Sequence, residues 1–317
     1  MTIIPKEIYL LERYISLNYF SKLRDIWEEM VQHVDECLNK FVAALPADYR
    51  NRPLPEQPDI VWGDRVLPNF RNTFQSLNEG VILLSHGDFS GLNCAHGPLN
   101  DFKGQLDFWS GWMNEADEIR YSELLHRAVQ MASNITATES ASWSPGDLSS
   151  DYHEESRGPL EPPMNWPMYQ SNAKISIASG VKVAISGIYV PDIENSCAEF
   201  LSENYKSAPL ARVFVRMKEL IAPDTGLKYG EQPEFIKKSC NWIKVEQEPD
   251  SQETSKTPSL FEQKAIRVPA GEHCSQAGYY FTPAHAASRR WFKCNEVMPD
   301  LGGVYGATIW QWDNSQN

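Results

Sequence analysis

The sequence predicts an α+β protein. An N-terminal antiparallel helical bundle is expected over residues 1–132, a linker or wrapping loop over 133–173, and a β-rich region with two related β units over 174–317. Three observations carry this reading. Apolar residues recur at spacings of three and four in the first part and fall in short β-prone runs after Lys174. Between them, "SNITATESASWSPGDLSSDYHEESRGPLEPPMNWP" is rich in Ser, Pro and Gly and follows neither period. Finally, "SGIYVP" (186–191) is echoed by "AGYYFTP" (277–283), and "NWIKVE" (241–246) by "TIWQWD" (308–313), which reads as one β unit occurring twice.

Each element follows from its residues. From Glu7 to Leu45 the pattern is helical: Leu23, Ile26, Trp27, Met30, Val34, Leu38 and Phe41 form an apolar stripe between acidic and amide residues, and Ser21 is a candidate cap for the second helix. Four prolines make 46–59 a connecting loop. Helical spacing resumes over about 65–84 and again over about 99–131, on either side of the loop "SHGDFSGLNCAHG". Beyond Lys174, "KISIAS", "VKVAISGIYV", "ARVFVRM", "NWIKVEQ", "QKAIRV", "GYYFTP" and "ATIWQW" read as strands. The first β unit carries the longer insert, "AEFLSENYKSAPLARVFVRMKELIAPDTG", in which a short helix is expected. In the last strand Thr308, Trp310 and Trp312 share a face, so it should be packed between neighbours and not left as a frayed end.

Composition narrows the function. The net charge is −13, with 42 acidic against 29 basic residues, and the first 150 residues hold 21 acids against 12 bases. That balance opposes direct binding to nucleic acid and favours a basic partner. No apolar run is long enough to cross a bilayer, and charged residues interrupt the start, so no membrane contact and a cytoplasmic location are expected. The six cysteines include no C-x-x-C pair, as expected of free thiols in a reducing compartment.

No catalytic constellation stands out. "GDFSG" (87–91) places Ser90 one position late for a nucleophile elbow, and Asp88 or Ser90 reads better as a helix cap. His86, Cys94 and His96 match no metal-ligand spacing. Adjacent carboxylates such as Asp117/Glu118 are splayed and not convergent. No phosphate loop, dinucleotide fingerprint or calcium loop occurs, so catalytic residues, metal and cofactor are all expected to be absent. Trp109, Trp112, Tyr279, Tyr280, Trp310 and Trp312 read as structural aromatics that fill cores.

"VWGDRVLPNFRNTFQSLNEGVILLSHGDFSGL" (61–92), "DFKGQLDFWSGWM" (101–113), "SGIYVPD" and the terminal "GYYFTPAHAASRRWFKCNEVMPDLGGVYGATIWQWD" together resemble the immunity protein 71/72 family of bacterial polymorphic toxin systems. The resemblance implies a non-enzymatic protein that binds and neutralises a cognate secreted toxin, often one delivered by a type VI secretion system. The acidic charge and expected compartment point to a basic nuclease domain as that partner, with a homodimer also compatible. The toxin-binding candidates are then the acids of the helical half: Asp64, Asp88, Asp101, Asp107, Glu115, Asp117 and Glu118. Two other readings stay open. One is a carbohydrate-binding module built on the C-terminal aromatics. The other is an enzyme whose dispersed residues include His86, Asp88 and His96.

Overall fold

A computed structural model describes residues 2–204, 207–248, 267–282, 285, 288–302 and 308–313. The chain forms an α+β fold of two compact bodies, Met1–Ser251 and Gln252–Asn317. The first holds helices α1 (Pro5–Tyr14), α2 (Leu17–Ala43), α3 (Pro58–Val61), α4 (Leu67–Ser85), α5 (His96–Gln105), α6 (Glu115–Glu139) and α7 (Glu154–Arg157). It also holds strands β1 (Tyr169–Ala178), β2 (Gly187–Pro191), β3 (Glu199–Leu201), β4 (Ala211–Ile221), β5 (Lys228–Lys238) and β6 (Asn241–Gln247). The second body holds β7 (Arg267–Pro269), β8 (Gly278–Phe281), β9 (Arg290–Phe292) and β10 (Ile309–Trp312).

The apolar stripe of α2 packs against α4 and α6, with Trp27 fully buried and its indole donating to the Phe70 carbonyl at 2.8 Å. The same core extends to one face of the first sheet, where Ile188, Val190, Phe200 and Val245 are buried. Phe89, in the 3-10 turn Phe89–Ala95, sets its ring 5.0 Å from that of Phe200. Gly80 is required where this turn crosses α4, because a Cβ there would lie 2.8 Å from the Gly91 carbonyl oxygen.

The two β units are copies of one arrangement. The first sheet runs β1-β6-β2-β3 and the second β7-β10-β8-β9, both antiparallel. Their registers coincide. Ile177 faces Trp242 as Val268 faces Trp310, Tyr189 faces Lys244 as Tyr280 faces Trp312, and Gly187 faces Leu201 as Gly278 faces Phe292. Six core positions correspond: Ile177, Val183, Tyr189, Leu201, Ala208 and Trp242 in one match Val268, Cys274, Tyr280, Phe292, Met298 and Trp310 in the other, and the first core adds Ala211 and Cys240.

Polar anchoring is repeated too. The indole of Trp242 donates to the Pro209 carbonyl and that of Trp310 to the Pro299 carbonyl, each at 2.8 Å. Tyr189 and Tyr280 each donate to a carbonyl four residues earlier. Gly180 and Gly271 both turn the chain at φ +87°, where a side chain would be strained. The terminal strand β10 therefore lies between β7 and β8, with Trp310 buried and Trp312 packed edge-on against Tyr280.

Several boundaries differ from the sequence reading. The second helix begins earlier, capped by Ser16, whose Oγ accepts from the Tyr19 amide; Ser21 lies inside it. The stretch 99–131 is not continuous, because Leu106–Asn114 interrupts it and Asn114 caps α6 through the Asp117 amide. Helix α6 continues to Glu139, and β1 begins at Tyr169, so both enter the expected linker. The segment between them is tied down: Trp143 and Leu148 are buried in the main core. The helices and the first sheet share that core, so the compact division falls at residue 251. The described part of the insert holds no helix; it forms β3 and β4, and β4 pairs with β5.

Candidate functional site

The insert of the first β unit is where the two copies part. The chain between β3 and β6 makes a two-stranded hairpin, β4 with β5, in strands of 11 residues each; the second copy passes from β9 to β10 without an equivalent strand among the described residues. At the usual rise per residue such an arm is about 35 Å long. Its base is anchored by buried Ala211 and Val213, and beyond them most of it is exposed.

Cross-strand pairing places Phe214 opposite Phe235 and Met217 opposite Pro233, giving one face an apolar strip. The two phenyl rings meet edge-on at 6.1 Å. Between these pairs Arg216 meets Glu234 at 2.7 Å, on the other face. Val215 and Tyr229 fall at register shifts, and Met217, Ile221, Leu227 and Ile236 are also exposed. The strands carry six Lys and Arg against three Glu, which sets the arm apart from the acidic protein. An isolated two-stranded ribbon with apolar residues in water is marginal, and covering it would stabilise it.

At the base of the arm lies a cavity of about 340 Å³, lined by Ser140, Ala141 and Ser142 after α6, by Cys197 and Glu199, by Trp242, and by Arg212 and Lys237 of the hairpin. Glu199 is fully buried there, and its Oε2 has no hydrogen-bond partner among the described residues. Burial holds its carboxyl well above the ordinary range, offset only in part by the Trp143 amide and Arg212. Arg212 is held by the Ser142 carbonyl and by Ser144 Oγ at 2.7 Å. Burial also pushes the Cys197 thiol well up, and it points to the Trp143 carbonyl at 3.6 Å, so it is not an activated nucleophile. The cavity thus sets the buried Glu199 carboxyl beside the Arg212 guanidinium.

The predicted acids divide. Asp64, Asp88, Asp107 and Glu115 are exposed. Asp88 caps the 3-10 turn by accepting from the Ser90 amide, which holds its carboxyl below the usual range. Asp101 is half-buried with an unpartnered Oδ2, and burial raises it. Asp117 is tied to Asn114 and Lys40, and Glu118 accepts from Ser110 Oγ at 2.7 Å, so both serve the start of α6. His86 is exposed, and His96 faces Glu139 at 3.8 Å; neither joins Cys94 in a ligand cluster among the described residues.

Among the structural aromatics, Trp112, Tyr280 and Trp310 are buried and Tyr279 and Trp312 half-buried. Trp109 corrects the core-filling expectation: it is 59% exposed, and its carbonyl accepts from the Trp62 indole at 2.9 Å. Trp291 is also exposed and meets Tyr279 edge-on at 5.1 Å. Sequence reasoning read "ARVFVRM" as a strand but missed its extension to Ile221, its partner Lys228–Lys238 and Glu199, for which the apolar flanks of "CAEFL" were the available signal.

No protein-family model, no curated protein and no solved structure matches the chain. None of the helices among the described residues is long and apolar enough to cross a membrane.

Proposed function

We propose that the protein is an immunity-type inhibitor that neutralises a secreted toxin by stoichiometric protein–protein contact, with the β4–β5 arm as its anchor. The observation that carries this reading is the arm itself. It is an addition to a β unit that, among the described residues, has no such strands in the second copy, and it sets exposed Met217 and Pro233 beside half-buried Phe214 and Phe235 on one face. Such an insertion fits a contact with another protein, which would bury the strip and satisfy the free strand edges. The resemblance to the immunity protein 71/72 family supplies the class of partner. The charge supports a basic nuclease domain, which the exposed Asp64, Asp88, Asp107 and Glu115 would attract before docking.

The test is a titration of the toxin domain encoded beside this gene with the purified protein. Activity should fall linearly to zero at one equivalent. Complete loss of activity at well under one equivalent would point to an enzymatic effect, and loss only at large excess to an indirect one; either would overturn the reading.

A further inference from the structure

On α2, His33 and Cys37 stand four residues apart and so share one face of the helix. The first turn of α6 brings Asp117 to the same point. The ligand atoms of these three side chains all lie within 4.8 Å of one another, and no other trio of His, Cys, Asp and Glu does so among the described residues. His33 Nε2 is 3.7 Å from Cys37 Sγ. Two donors on a tetrahedral zinc, at bond lengths of about 2.05 and 2.3 Å, stand about 3.5 Å apart. Cys37 is buried, whereas His33 and Asp117 are half-buried, so solvent reaches the site from one side.

We infer that His33, Cys37 and Asp117 form a binding site for one thiophilic divalent transition metal, of which Zn²⁺ is the natural representative, with water completing the coordination. The donor set is a nitrogen, a sulfur and a carboxylate oxygen, which a borderline-soft ion accepts and which Ca²⁺ or Mg²⁺ does not. The carboxylate is already oriented: Asp117 Oδ2 accepts from Asn114 Nδ2 at 2.5 Å and lies 3.7 Å from Lys40 Nζ.

Without metal, His33 Nε2 meets the Asp117 carbonyl at 2.8 Å. On binding, Nε2 presents its lone pair to the ion and the ring proton resides on Nδ1. The thiol releases one proton to solvent and becomes the bound thiolate. The cluster is not a nucleophilic triad. Cys37 and the Asp117 carbonyl meet the same ring nitrogen, and burial, followed by Asp117, pushes the thiol up to about 11. Bound metal would staple α2 to the start of α6.

The full chain, stripped with chelator and kept reduced, is titrated with Co²⁺. One equivalent should produce tetrahedral visible bands and a thiolate-to-cobalt charge-transfer band, Zn²⁺ should erase both, and Zn²⁺ alone should raise the melting temperature. Cys37→Ala should remove the charge-transfer band. His33→Ala should weaken binding by more than the roughly 10–100-fold that loss of an outer-shell partner costs. Circular dichroism of the metal-free variants controls for folding, and Cys94→Ala and Cys294→Ala control for the more accessible thiols. No thiolate band in the parent protein, or a band that survives Cys37→Ala, would overturn the assignment.

Discussion

Replacing Trp310 with Ala should unfold the C-terminal body alone. Trp310 is fully buried in a core of six residues, and its indole supplies the hydrogen bond to the Pro299 carbonyl. Truncating a buried tryptophan costs about 3–5 kcal/mol, and orphaning the carbonyl adds about 1–3 kcal/mol. At about 0.05–0.15 kcal/mol per residue, the segment Gln252–Asn317 holds only about 3–10 kcal/mol. The loss is therefore comparable to the whole margin. The equivalent change, Trp242→Ala, removes the same packing and the same bond to Pro209 from a body of 251 residues, which should lose stability yet stay folded. The assay is limited proteolysis with mass mapping, beside urea unfolding. Trp310→Ala should be cut within the strands between Arg267 and Trp312 while Met1–Ser251 stays resistant. Trp242→Ala should stay resistant throughout, with a lower urea midpoint. Strands of the C-terminal body that remain as resistant in Trp310→Ala as in the parent would refute the reasoning.

Two further outcomes follow. Burial raises the Glu12 carboxyl from an ordinary 4.5 to about 7, despite the hydrogen bond from Tyr169. The folded state thus keeps a proton that the unfolded chain releases, so this contribution is complete below pH 4.5 and is lost as pH rises through 7, by about 3 kcal/mol. Glu12→Gln should flatten the fall in stability between pH 5 and pH 8 measured by denaturant titration, and parallel curves for parent and variant would contradict it. Reversing the charge of Asp64, Asp88, Asp107 and Glu115 together should slow association with a basic partner and weaken its salt dependence in stopped-flow traces at two ionic strengths, leaving dissociation nearly unchanged.

The sequence made the fold class legible because burial writes period and residue type into it. The duplication showed at Tyr189/Tyr280 and Trp242/Trp310, where a large side chain and its carbonyl partner tolerate little change. It stayed hidden at Val183/Cys274 and Ala208/Met298, where any apolar residue of suitable volume serves. The break at Leu106–Asn114 was obscured because its aromatic residues continue an apolar pattern, even though Trp112 packs inward and Trp109 outward. The inner part of the arm was read as a strand, but its outer part escaped because "RMKEL" favours a helix locally, whereas pairing with Lys228–Lys238 decides for strand. The His33/Cys37 pair had the spacing of a ligand pair, but its third member lies 80 residues further on, and only the approach of α6 to α2 brings Asp117 there.

The most direct test of the arm's proposed role is the affinity of the proposed toxin partner, sought in the neighbouring genes, for the parent protein and for a variant in which Phe214, Met217 and Phe235 are replaced by Ser. Calorimetry gives both the affinity and the stoichiometry. The account predicts a one-to-one complex for the parent, and for the variant, with unchanged circular dichroism, an affinity lower by at least about 30-fold, as expected when a hot spot worth about 2 kcal/mol or more is removed. Equal affinities would contradict it and place the contact elsewhere on the molecule.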